Sequence, residues 1–181
     1  MDPFKILIAE IMLQKTVASN VKKVFPRFIE RFPSPKDILE APIEEIEQEL
    51  RPLGIFRRRA KAIKQIAAEV ISKYDGKVPS HKEAIAAFPM VGDYVANAVM
   101  CFGFGKDIPL VDVNVKRVMK RFFGLTKLHE IEKKLREVIP KGKSKEMNWA
   151  LIDFASIICI PGKPKCHACP LSADCRKNFD D

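Results

Sequence analysis

Helical periodicity runs through almost the whole chain, and no stretch alternates like a strand or closes on a strand hairpin. "RRRAKAIKQIAAEVISKY" (57–74) places Ala60, Ile63, Ile66, Ala67, Val70 and Ile71 at helical spacing, which predicts a buried stripe with the basic side chains on the other face. Asp2 followed by Pro3 is an N-cap with proline at the first helical position, and the apolar run to Leu13 continues that helix. A second helix fits "VASNVKKVFPRFIERF", with a break or kink at Pro26. "PIEEIEQELR" carries its acids in the first turn, as the helix dipole favours. Ser80 and Glu83 have capping-box spacing ahead of "AIAAF". Four more helices fit "GDYVANAVMCFGF", "VNVKRVMKRFF", "HEIEKKLREVI" and "KEMNWALIDFASIIC". The fold class expected is all-α.

At 181 residues with 47% apolar content, the chain can build a core without cross-links. It holds no run of 18 or more apolar residues, and Lys5 and Glu10 interrupt "FKILIAEIML", so no membrane partner is expected. The N-terminus lacks a secretory pattern, which makes a reducing, cytoplasmic and nucleoid-associated setting the expectation. A formal charge of +9, from 32 Lys+Arg against 23 Asp+Glu, suits a polyanion such as nucleic acid.

Four of the five cysteines crowd the C-terminal end as Cys159-x6-Cys166-x2-Cys169-x5-Cys175. Four soft thiolates of this number suit either tetrahedral zinc or one cubane iron–sulfur cluster. Zinc sites usually show two short pairs and only Cys166 and Cys169 make one here, so the spacing favours iron–sulfur moderately. His167 falls between ligands that already complete the shell and is expected to be exposed, whereas Cys101, on an apolar helix face, is expected in the core.

The cysteine spacing together with "KPKCHACPL" resembles the cluster loop of the endonuclease III and adenine glycosylase families, within the helix–hairpin–helix DNA glycosylase superfamily. The resemblance implies two helical subdomains: 1–106, a six-helix barrel with the hairpin, and 107–181, a helical subdomain carrying a C-terminal [4Fe–4S] cluster on Cys159, Cys166, Cys169 and Cys175. The cluster would shape a DNA-contacting loop in which Lys163 and Lys165 meet phosphate. The implied partner is double-stranded DNA with a mismatched or damaged base, flipped into a cleft between the subdomains by a monomer.

A second block, "FPMVGDYVANAVMCFGFGKDIPLVDVNVKRV" (88–118), resembles the superfamily's hairpin followed by Val-Asp. Met90, Val91 and Gly92 form the hairpin turn, whose backbone N–H groups would approach phosphate. Met90 replaces the first glycine of the family pattern, and Asp93 stands where a base is usual. Asp112 matches the essential aspartate, a carboxylate able to stabilise positive charge on the sugar, and Asn114 joins the DNA-contacting set. Asp112 also fits an N-cap for the helix it precedes. At the Schiff-base position, where bifunctional relatives carry lysine, this chain has Tyr94, which cannot form an imine and so implies hydrolysis alone.

"ILIAEIMLQKT" resembles the "SEVMLQQT" segment of adenine glycosylases, which gives Glu10 a catalytic role and places Gln14 and Lys15 where relatives fill the gap left by a flipped base. Pairing of Glu10 with Lys5 or Arg59 is the structural alternative. "LGIFRRRAK" resembles the wedge segment, with Ile55 and Phe56 at its tip. The Gly-x-Tyr pattern resembles that of archaeal thymine–guanine mismatch glycosylases. The expected function is monofunctional removal of thymine or uracil opposite guanine. The alternatives are an adenine glycosylase acting opposite guanine or oxidised guanine, and a non-catalytic cluster-bearing module. Relatives carry a helix ahead of the Asp-Pro segment, and many adenine glycosylases carry a C-terminal domain for oxidised guanine. The chain shows neither, and the lack of that domain leans toward the thymine reading.

Overall fold

The computed structural model describes residues 1–179 and contains ten α-helices and, among the described residues, no strand. The chain divides into two units, residues 1–104 and 105–179 of the described chain. In the first unit, Asp2 caps α1 (Pro3–Leu13) by accepting the Phe4 N–H at 2.8 Å, with proline at the first position. That helix is apolar on nearly every side because it is surrounded: Phe4, Leu7, Ile8, Ile11 and Met12 are all buried. Helix α2 (Ala18–Arg31), α5 (Phe56–Tyr74) and α7 (Asp93–Ala98) pack against it. Proline 26 sits inside α2, which continues to Arg31.

Helix α3 (Pro35–Glu40) was not among the expected helices. Its signal is "SPKD": Ser34 and Asp37 close a reciprocal capping box, and Pro35 occupies the first turn. Helix α4 (Ile43–Leu50) follows, capped by Pro42 rather than begun by it. Helix α6 (Lys82–Ala86) corrects the Ser80–Glu83 capping box, since His81 is the N-cap and no side chain caps it. A start one residue later leaves Ser80 outside the helix, out of register with the N–H it would have to accept. Helix α7 runs into a π turn, Val99–Gly103, which lies against α1. Glycine is required at 103 because a Cβ there would stand 2.9 Å from the Pro3 Cα.

Helix α5 shows most of the predicted stripe, with Ala60, Ile63, Ile66, Ala67 and Val70 buried, while Ile71 at its end is only half-buried. The assignment of its bases to the opposite face needs correction: Arg59 is 0% exposed. The second unit is built from α8 (Val113–Phe123), α9 (Leu128–Val138) and α10 (Ser144–Ile157). Val115, Met119, Ile131, Leu135 and Ile139 form its core, covered by Phe123, Met147, Leu151 and Ile152. After α10 the chain makes an irregular loop with one 3-10 turn, Cys166–Ala168.

Candidate functional site

The expected site residues divide between the units. Glu10, Gln14, Lys15, Ile55, Phe56, Met90, Val91, Gly92 and Tyr94 belong to the first. Asp112, Asn114, Lys163, Lys165 and the four clustered cysteines belong to the second.

In the first unit the hairpin forms in spite of its methionine. Met90 takes the left-handed conformation, φ 63°, that the family's glycine would adopt freely, while Gly92 is extended and caps α7. A methionine there is strained, and the turn is braced from outside: the Gln14 side-chain amide donates to the Met90 carbonyl at 2.6 Å. Val91 is buried beneath the turn and Gly92 is exposed at its tip. Asp93, the acid in place of a base, is ion-paired with Lys82 at 2.7 Å. Tyr94 is half-buried one residue into α7, and Glu10 is half-buried on α1. The wedge segment turns through Gly54 (φ 69°) into Ile55 (φ 39°), which is 45% exposed for so large an apolar residue, with Phe56 half-buried behind it. Lys15, just past the end of α1, is exposed and also left-handed, at φ 51°.

In the second unit Asp112 is both an N-cap and a fixed carboxylate. Its Oδ1 accepts the Val115 N–H at 2.7 Å, as a cap for α8. Its Oδ2 accepts the Asn114 amide at 2.8 Å. Asn114 is half-buried, and its own side-chain carbonyl accepts Arg117 Nη1 at 3.0 Å. Arg117 then donates through Nε to the Cys159 carbonyl (2.9 Å) and through Nη2 to the Ala155 carbonyl (2.8 Å). A continuous hydrogen-bonded path therefore joins the Asp112 carboxylate to the backbone of the first clustered cysteine.

None of the five cysteines is in a disulfide, and Cys101 is buried in the core and His167 exposed, as their positions in sequence imply. Cys159, Cys166, Cys169 and Cys175 line one cavity together with Arg121 and Phe154. The Cys175 sulfur accepts the Lys177 N–H at 3.4 Å. Arg121, 1% exposed, donates to the carbonyls of Ile160 (2.7 Å) and Gly162 (3.2 Å) and reaches the Cys159 sulfur at 3.8 Å. Lys163 and Lys165 are exposed on this loop. Sequence reasoning missed Arg117 and Arg121, and it named Arg59 only as an alternative partner for Glu10, not for the backbone carbonyls of Ile11, Met12, Gln14, Leu53 and Gly54 that it meets; backbone acceptors leave no side-chain pattern to read.

Comparison with known proteins gives a consistent result. The family described as HhH-GPD superfamily base excision DNA repair protein matches residues 8–141. A thymine/uracil-DNA glycosylase of Methanothermobacter thermautotrophicus is 41% identical over 180 residues, covering 96% of this chain and 81% of its own. Among solved structures, a thermostable thymine-DNA glycosylase superposes with a TM-score of 0.90 at 39% identity, covering 98% of this chain and 84% of the other. A non-covalent complex of endonuclease III with DNA superposes at 0.88 with 34% identity, covering 98% and 85%.

Proposed function

We propose that this chain, which belongs to the HhH-GPD superfamily of base excision DNA repair proteins, is a monofunctional DNA glycosylase that hydrolyses the N-glycosidic bond of thymine or uracil mispaired with guanine. The observation that carries the reading is the Asp112 carboxylate, held by the Val115 N–H and the Asn114 amide so that it cannot rotate away. As the bond to the base breaks, positive charge grows on the sugar, and a fixed anion stabilises it without reorganising. Glu10 orients water or the departing base, and Tyr94 shapes the base pocket. Water adds to the sugar carbon, the base leaves with its bonding electrons and takes up a proton, and the backbone stays intact. The names of the relatives support thymine and uracil as the bases.

The cluster loop belongs to the same proposal. Four cysteines border one cavity. Thiolates of this number and softness would suit a [4Fe–4S] group, which their spacing in sequence, with one short pair at Cys166 and Cys169, favours over zinc. When bound, the cluster supplies a rigid cross-link for the loop; the loop's own Lys163 and Lys165 face solvent, where phosphate would lie.

The test is a panel of labelled duplexes carrying T·G, U·G, A·G and A opposite oxidised guanine, developed with alkali. Release of thymine and uracil but not adenine is expected. Adenine release alone would assign the adenine reading, and no release from any duplex would leave a DNA-binding module.

A further inference from the structure

Arg59 is a buried charge that this mechanism leaves unused. Its six hydrogen bonds go to two separate turns. On one side it donates to Ile11 (3.0 Å), Met12 (3.4 Å) and Gln14 (2.9 Å), carbonyls at the C-terminal end of α1 where the helix leaves acceptors unpaired. On the other it donates to Leu53 (3.3 Å) and Gly54, in the turn ahead of α5. Thr16 closes the ring: its hydroxyl accepts from Arg59 at 3.4 Å and donates to the Leu53 carbonyl at 2.7 Å. Burial pushes the Arg59 pKa down by desolvation, yet a guanidinium keeps its charge in a protein.

These turns are strained. Among the described residues five non-glycine residues have positive φ, and Lys15, Ile55 and Met90 are three of them. Lys15 and Ile55 sit in the two turns that Arg59 ties, and Gln14, whose carbonyl Arg59 holds, reaches on to Met90. A β-branched residue such as Ile55 enters the left-handed region only when its surroundings dictate it.

We propose that Arg59 is a positioning residue that locks the gap-filling turn at Gln14–Lys15, the wedge at Ile55 and the hairpin at Met90 into one preset arrangement for expelling a mispaired base. The proposal rests on the glycosylase reading. Arg59 touches no DNA, being wholly buried. Its contribution is therefore to base extrusion and not to bond cleavage, which gives it a signature that general destabilisation lacks.

The experiment compares Arg59→Lys with the parent on two substrates, a T·G duplex and the same strand with uracil in an unpaired bubble, in single turnover. Lysine keeps the charge but lacks the planar fork that reaches both turns. Excision from the T·G duplex should fall about 10- to 100-fold, the scale of an ångström-sized misplacement, with the bubble substrate cleaved near the parental rate. Hydrogen exchange without DNA should show residues 12–16, 53–56 and 88–92 losing protection together. Equal losses on both substrates, or three segments that keep their parental protection, would overturn the proposal. Should Arg59→Lys not fold, Thr16→Val removes one tie between the turns without stranding a charge and must give the same duplex-selective loss. A parent that releases no base sinks the glycosylase reading instead. The exchange pattern then decides the coupling by itself: joint loss supports it and unchanged protection refutes it.

Discussion

Replacing Asp112 by Asn separates its two roles because the amide preserves one and removes the other. Asn caps helices about as well as Asp, so an amide oxygen can keep the 2.7 Å bond to the Val115 N–H. The NH2 group then faces the Asn114 amide across 2.8 Å, donor against donor. Asn114 cannot turn over to accommodate it without giving up the Arg117 bond on its carbonyl. One hydrogen bond is lost, worth roughly 1–2 kcal/mol in this half-buried setting. For a chain of this length that is a drop of about 2–8 °C in melting temperature. The rate effect is far larger. Loss of a charge aimed at the developing sugar cation should lower single-turnover excision from a T·G duplex on the order of 10²- to 10³-fold, or about 2.7–4 kcal/mol. Binding to the mismatch, read by fluorescence anisotropy, should persist. Asp112→Ser is the companion variant, since serine also caps but offers no carboxylate, and it should be equally slow. An Asn variant that melts lower yet excises at close to the parental rate would reduce Asp112 to a helix cap.

Three further outcomes are expected. The parent should leave an abasic strand that breaks only with alkali and traps nothing with borohydride, whereas Tyr94→Lys should give a trappable imine with some strand cleavage; efficient trapping by the parent would refute the monofunctional assignment. Protein purified without oxidation should be brown and contain four irons; stoichiometric zinc without iron would refute the cluster. Met90→Gly relieves a left-handed methionine and should stabilise the fold by up to about 1 kcal/mol; a lower melting temperature would show that the side chain, not the backbone, holds the turn.

The helices were legible wherever local chemistry sets them. Asp2-Pro3 and the stripe of α5 needed only capping and periodicity, and both stand in the structure. Asp112 was legible as a helix cap for the same reason, because the helix it caps begins at the next residue. The register of α6 was not legible, since a five-residue helix has too few turns for periodicity to decide between Ser80 and His81 as its start. The backbone partners of the arginines were illegible on different grounds, although Arg59 itself was a candidate partner for Glu10. Arg57, Arg58 and Arg59 are indistinguishable as letters, and only the third turns inward. Its acceptors are mostly carbonyls, which every residue carries, so no partner residue type marks the pairing. Arg117 is alike in this, reaching backbone at Ala155 and Cys159 across about forty residues of sequence.

Met90 and Asp93 are the two places where the hairpin departs from the family pattern, and each meets a specific compensation. The left-handed turn at Met90 would open if its carbonyl were free to swing, and the Gln14 amide holds that carbonyl at 2.6 Å. The Asp93 carboxylate would repel a phosphate approaching the exposed Gly92, and Lys82 sits 2.7 Å from it. As an exposed ion pair this adds at most about 1 kcal/mol of stability. Its consequence is electrostatic: the pair carries no net charge, so the backbone N–H groups of the turn meet an approaching anion without an opposing carboxylate. Lys82→Met tests this directly. It should leave folding nearly unchanged, expose the full charge of Asp93 beside the turn and weaken duplex binding at low salt. The loss should shrink as salt rises, because the Debye length contracts from about 30 Å at 0.01 M to about 8 Å at 0.15 M. A loss of affinity that does not vary with salt would mean that Lys82 meets the DNA in some way other than by neutralising Asp93.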